Sequence, residues 1–177
     1  MTSTNTGLPP SWTVRVSRTH NQEYFFNQAT KESSWDAPFG TDQEVLSEYL
    51  KKFKANGYKP VVGDDGKVRI SHLLIKNNQS RKPKSWKSPD GITTTRDEAI
   101  QILKKHLARI LNGEVKLSEL AKTESDCSSH SVGGDLGFFG KGQMQPKFEE
   151  TAYALHVGEV SDIIETDSGV HILQRTG

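Results

Sequence analysis

The chain holds one thiol, Cys127, set in the polar run S-D-C-S-S and not among apolar neighbours. A thiolate is both nucleophile and strong acceptor, so this placement calls for a chemical reading beside the packing one. Two histidines stand inside apolar runs, His72 in I-S-H-L-L-I-K and His171 in S-G-V-H-I-L. A strand histidine is commonly a hydrogen-bonded core residue, whereas two of them with a thiol also suit a Cys/His hydrolase or a metal site. No ligand pair has metal-like spacing, which argues against zinc. Lys76, Arg81 and Lys82 follow the His72 run, with Lys84 and Lys87 beyond, and read either as a solvated loop or as an anion receptor. Leu136, Met144 and Phe148 lie in and after a glycine-rich stretch and either join the core or line an apolar pocket.

Elements must carry these groups. Lys67–Lys76 reads as a strand with His72 in its middle, and residues 77–94, polar with two prolines, read as a long loop bearing the cations. Thr95 and Glu98 make a capping box before a helix striped by Ala99, Ile100, Leu103, Leu107, Ile110 and Leu111, which stops at Asn112-Gly113. A shorter helix is expected near Leu117–Lys122, a strand at Leu136–Phe139 and a helix at Phe148–Leu155. Two closing strands, near Val160–Thr166 and Val170–Arg175, flank the turn Thr166-Asp167-Ser168-Gly169.

Upstream, residues 9–39 are rich in aromatic and β-branched side chains and read as three strands, at 12–16, 23–27 and 32–35. So small a sheet buries little core and is marginal alone. Alternation sends Tyr24 and Phe25 to opposite faces. One face packs Trp12, Phe25 and Pro38; the other sets Tyr24 beside Trp35 as an aromatic slot for a proline ring in an extended peptide. Ser17 and Arg18, in the adjoining turn, can hold a phosphate. A purely structural role for both tryptophans is the rival reading, and it stands for Trp12. Residues 40–63 form a linker with a helix at about 41–57, opened by Thr41 and Glu44, striped by Val45, Leu46, Tyr49, Leu50 and Phe53, and closed by Asn56-Gly57. That stripe needs a partner surface. Residues 1–8 are small and polar and are expected to be disordered.

A length of 177 residues accommodates one small module and one ordinary α+β domain. The formal net charge of +1 gives no general affinity for nucleic acid or anionic membrane. Mean hydropathy is −0.65, and no apolar run approaches the roughly 18 residues of a membrane span. The N-terminus lacks the charged and apolar regions of a secretion signal. A single cysteine excludes an internal disulfide and fits a reducing compartment. The expectation is a monomer with no cofactor and no metal.

Residues 68–177 resemble a parvulin-type peptidyl-prolyl isomerase, carried by S-H-L-L-I-K, Q-S-R-K-P-x-S-W, S-D-C-S-S, G-G-D-L-G-F-F-G-K-G-Q-M, Phe148-Glu149 and T-D-S-G-V-H-I-L. Residues 8–39, with L-P-P-S-W, Y-F-F-N and a closing W-x-x-P, resemble a WW domain. Together they are similar to the eukaryotic phospho-specific parvulins, in a fungal version. The resemblance implies a three-stranded antiparallel WW sheet over 9–39, the helical linker over 40–63, and over 64–177 a mostly antiparallel central sheet surrounded by helices. It implies cis/trans isomerisation of phosphoSer-Pro and phosphoThr-Pro bonds, with the alternative of a non-catalytic adaptor that only binds them. By position, Lys76, Arg81 and Lys82 hold the phosphate and Leu136, Met144 and Phe148 hold the proline. His72, Cys127, Ser168 and His171, supported by Gln145 and Thr166, form the polar cluster at the isomerising bond, and Ser17, Arg18, Tyr24 and Trp35 form the WW peptide site. One departure is Lys82, where the family often has Arg; the charge stays but the planar fork is lost. The implied partner is the phosphorylated C-terminal repeat array of the large RNA polymerase II subunit, in transcription and cell-cycle control. The implied location is nuclear, with a cytoplasmic pool allowed.

Overall fold

The computed structural model describes residues 5–63 and 65–177, so residues 1–4 and the expected domain start at residue 64 lie outside the described residues. Three antiparallel strands come first: β1 (Trp12–Ser17), β2 (Gln22–Asn27) and the short β3 (Ser33–Ser34). Val14 pairs with Phe25 and Arg15 with Tyr24, so the strand period puts Val14 and Phe25 inside and Tyr24 on the outer face. The turn into β3 is held by the Asn27 side chain, whose Oδ1 accepts the Ala29 and Thr30 N–H groups.

The linker helix α1 (Gln43–Ala55) supplies the core that this sheet lacks. Leu46, Tyr49 and Phe53 form its buried stripe and meet Val14 and Phe25 on one side and Val61 of the linker with Val157 of the second domain on the other. Its N-cap is Asp42, not Thr41: the Asp42 carboxylate accepts the Val45 N–H at 3.2 Å, while the Thr41 hydroxyl donates to the Pro38 carbonyl at 2.6 Å. Both residues are good caps, and the turn after Pro38 engages the first of them. The expected disorder does not extend over residues 5–8. Thr6 is buried, Leu8 packs on the α1 core, and the Gly7 carbonyl accepts the Asp42 N–H at 2.8 Å. Gly7 has φ of 73°, and a Cβ there would lie 2.6 Å from the Asp42 carbonyl oxygen, so only glycine lets the segment lie against the helix start.

The second domain is a four-stranded sheet in the order β5-β4-β7-β6, antiparallel at every pairing. Its strands are β4 (Val68–Ile75), β5 (Asp135–Phe139), β6 (Ile164–Thr166) and β7 (Gly169–Arg175). β6 is shorter than expected, since Val160 makes only an isolated bridge to Gln174. Alternation along β4 sends Leu73 and Ile75 to one face, covered by α2 (Arg96–Leu111) and α3 (Leu117–Glu124). Val68 and Ile70 face the other way, under α4 (Pro146–Ala154). α4 begins two residues earlier than its apolar pattern indicates, because Pro146 occupies the first turn, where a missing N–H costs nothing.

One fully buried cation joins the parts. The Arg175 guanidinium donates to the carbonyls of Val61 in the linker, Leu155 after α4 and Gly177. No helix among the described residues is long and apolar enough to cross a membrane.

Phe53 contributes ring packing to both modules at once. Phe53→Ala is expected to cost about 3–5 kcal/mol in urea unfolding. It should also raise amide hydrogen exchange in β1 and β2; unchanged exchange there would mean that the small sheet stands without α1.

Candidate active site

His72 and His171 come from neighbouring central strands and share the α4 face of the sheet. Both are buried. Their rings stack at 5.3 Å with 20° between planes, and their Nδ1 atoms lie 3.1 Å apart. His171 Nε2 lies 2.6 Å from Thr166 Oγ1, which also accepts the Ser168 N–H at 3.2 Å. Gln145 reaches the same turn, its Nε2 donating to Ser168 Oγ at 3.3 Å. The β6–β7 hairpin fixes this geometry, since the pairing of Thr166 with Gly169 leaves Asp167 and Ser168 as the turn.

Burial, and next the charge of His72, push the His171 imidazole down to about 3, so this ring is neutral across the physiological range. The chain is satisfied in either sense, with His72 Nδ1–H donating to His171 Nδ1 and His171 Nε2–H to Thr166 Oγ1, or with the Thr166 hydroxyl donating to His171 Nε2 and His171 Nδ1–H to His72 Nδ1. His72 Nε2 is then the free end of the relay, buried and without a partner in hydrogen-bonding geometry. It belongs to the ring that tunes Cys127. Burial alone would raise that thiol, but the interaction with His72, and next the groups of Ser129, outweigh it and bring the thiol down to about 6.

The apolar side is built by α4 and β5. Phe148 meets both imidazoles edge-on, at 5.5 Å to His72 and 5.4 Å to His171. Leu136 and Met144 pack on the same cluster and remain partly exposed. Gly134 sits behind it with its carbonyl accepting the His72 N–H, and a Cβ at Gly134 would lie 2.2 Å from the His72 carbonyl oxygen.

The basic loop closes the other end. Arg81 and Lys82 are exposed, and the Arg81 N–H donates to the Asp167 carbonyl at 2.7 Å. The Asp167 N–H in turn donates to Gln145 Oε1 at 3.2 Å, and Gln145 is the N-cap of the helix that carries Phe148. The cation loop, the polar cluster and the apolar wall therefore share one rim. Lys76 donates its ammonium to the carbonyls of Lys82 and Lys84, at 3.1 and 2.8 Å, leaving one of its three donors for a ligand.

In the small sheet Tyr24 and Trp35 meet at 6.1 Å and 65°, and Trp35 is half exposed while Trp12 packs into the core. With Val16, Ser17 and Arg18 they line a cleft of about 440 Å³. His20 went unread in the sequence. Its ring meets Trp35 at 5.2 Å and its Nδ1 lies 3.2 Å from Ser17 Oγ, a contact that an i, i+3 spacing across a turn could have signalled. Asp126, Ser85 and Trp86 also adjoin the site, although S-D-C-S-S and Q-S-R-K-P-x-S-W signal only their neighbours. Among the described residues no three His, Cys, Asp or Glu side chains gather as metal ligands.

Both modules of the chain are similar to known proteins. The PPIC-type PPIase (rotamase) domain profile matches residues 72–177 and the WW domain profile residues 8–38. A peptidyl-prolyl cis-trans isomerase of Neurospora crassa is 46% identical over 96% of each chain. One from Saccharomyces cerevisiae is 46% identical over 99% of this chain and 97% of its own. The solved structure of the peptidyl-prolyl isomerase ESS1 from Candida albicans is 79% identical, covers 100% of both chains and superposes with a TM-score of 0.93.

The lowered thiol has a direct readout. Because an acid with a depressed pKa is charged above that pKa, alkylation of native Cys127 by iodoacetamide should rise with pH around a midpoint near 6. In His72→Asn the midpoint should move up toward the ordinary thiol value of about 8.5. A wild-type midpoint already at the ordinary value would refute the tuning.

Proposed function

The chain belongs to the PPIC-type, or parvulin, family of peptidyl-prolyl cis-trans isomerases, and from that membership we propose that its substrates are phosphoSer-Pro and phosphoThr-Pro bonds. Rotation about an X–Pro bond meets a barrier of about 18–20 kcal/mol and takes tens to hundreds of seconds unaided. No bond need be made or broken. The site has to favour the twisted amide over both planar forms.

The observation that carries the phosphate reading is the shared rim: Arg81 bonded to Asp167, Asp167 bonded to Gln145, and Gln145 opening the helix of Phe148. In this reading Leu136, Met144 and Phe148 grip the pyrrolidine ring, and Lys76, Arg81 and Lys82 hold the phosphate of the residue before it. A phosphate of about −1.5 to −2 charge at pH 7 is matched by three cations. With both ends held, torsion concentrates on the bond between them, opposite His72, Cys127, Ser168 and His171. Twisting removes amide resonance, so the carbonyl becomes ketone-like and the nitrogen becomes pyramidal. The polar cluster, with Gln145 and Thr166 holding Ser168 and His171, provides a fixed electrostatic setting for that state. Cys127 acts in it as a tuned anion and forms no bond to carbon. Lys82 contributes charge without the bidentate fork of an arginine.

The WW cleft binds the same class of motif, the proline between Tyr24 and Trp35 and the phosphate at Ser17 and Arg18. Two sites for one motif favour repetitive, multiply phosphorylated chains, since the second contact is then intramolecular. The C-terminal repeats of RNA polymerase II are such a chain, which extends the reading to a nuclear protein acting in transcription. A non-catalytic adaptor would not need the buried His72–His171 pair beside a thiol of lowered pKa.

Arg81→Ala tests the phosphate anchor. Loss of charge-assisted bonds should lower kcat/KM on a phosphoSer-Pro peptide about 10- to 100-fold, with Glu-Pro and Ala-Pro peptides changed far less. Equal losses on all three would dismiss the role. Cys127→Asp keeps an anion but no sulfur, and it should retain isomerase activity well above the uncatalysed rate; complete loss in a folded variant would favour covalent attack.

A further inference from the structure

The basic loop is held by a clasp outside the groups named so far. Three consecutive side chains of the loop donate, in reverse order, to three consecutive residues before Cys127. Ser85 Oγ donates to Asp126 Oδ1 at 2.8 Å, Trp86 Nε1 to the Ser125 carbonyl at 2.7 Å, and Lys87 Nζ to the Glu124 carbonyl at 2.8 Å. The receiving segment is laced to β4 in turn: Ser125 Oγ accepts the Leu74 N–H, and the Asp126 N–H donates to the Leu74 carbonyl at 2.7 Å. Within the clasp the Asp126 side chain alone reaches both partners. Its second oxygen, Oδ2, accepts the Lys76 N–H at 2.9 Å. The carboxylate is buried, and Lys87 Nζ stands 3.8 Å from it. A buried carboxylate is tolerated where donors and a cation surround it, and removing it strands those donors.

We propose that Asp126 is a positioning residue for phosphate selectivity, its two oxygens joining the strand end at Lys76 to the loop that carries Arg81 and Lys82. Asp126 touches no substrate. It sets the distance from those cations to the reacting bond, because the segment it anchors continues directly into Cys127 and, through Leu74, into the strand of His72. A loop cut free keeps its cations but spreads them, so their gain from a fixed phosphate falls while the proline pocket is untouched. The inference rests on the phosphate reading above.

Three variants of the full chain test it with phosphoSer-Pro, Glu-Pro and Ala-Pro peptides. Asp126→Ala should lower kcat/KM on the phosphopeptide by about tenfold, mainly through KM, and leave the Ala-Pro rate within about twofold. Asp126→Asn should restore the phosphate preference, since its amide oxygen can accept the Lys76 N–H while its amide nitrogen donates to Ser85 Oγ. Ser85→Ala cuts the loop side alone and should lose part of the preference with Tm preserved. Equal losses on all three peptides would reduce Asp126 to a structural residue and overturn the proposal. So would an unchanged preference in folded Asp126→Ala or, should that variant not fold, in Ser85→Ala. A wild type without phosphate preference would instead remove the substrate reading and this role with it. Hydrogen exchange of residues 81–88 then still reports the clasp, rising in Ser85→Ala if it holds the loop and unchanged if it does not.

Discussion

Two imidazoles with Nδ1 atoms 3.1 Å apart inside a protein share a proton; they do not each carry one. Much of the site follows from that constraint. His171, the deeper ring, is the neutral member, pushed down by burial and by its neighbour, and it passes the hydrogen bond on to Thr166. His72 also interacts with Cys127, where it offsets the cost of burying a thiolate. The cluster is thus electrostatically arranged before any ligand arrives, as a site must be if it is to stabilise a charge distribution that exists only briefly. Phe148 closes it on the side of the α4 helix and keeps both rings dry and oriented.

The rest of the second domain serves that arrangement. The register of β4 on β7 brings the two histidines to one face, and the tight β6–β7 turn delivers Ser168 and Asp167 to its edge. Asp167 then ties the cation loop through Arg81, while Gln145 ties the start of α4. Loops that hold charge are commonly the mobile parts of a fold. Here the loop is fastened at the hairpin turn and again along residues 124–126, so its cations are carried on a tethered backbone.

The first module illustrates the opposite economy. A sheet of three strands buries little, and it borrows a core from the linker helix, whose Phe53 also touches His156 of the second domain at 5.4 Å. The linker is therefore part of the packing between the modules. The residues before the sheet join it too, through Gly7 and Leu8, so that residues 5–8, though mostly small and polar, pack beside the helix start.

Periodicity, motif spacing and family resemblance determined the two modules, the order of their main elements, the amphipathic helices α1 and α2, and the separate placements of Trp12 and Trp35. Those signals are local: a strand repeats every two residues, a helix every 3.6, and a cap announces itself within four. Only the tertiary structure decided which of two adjacent caps opens α1, that residues 5–8 pack, and that Lys76 organises its own loop. The same holds for Asp126, which lies 50 residues from Lys76 and 41 from Ser85. Its partners meet only when β4 and the segment before Cys127 lie side by side, and no local pattern in a chain records contacts made across such distances.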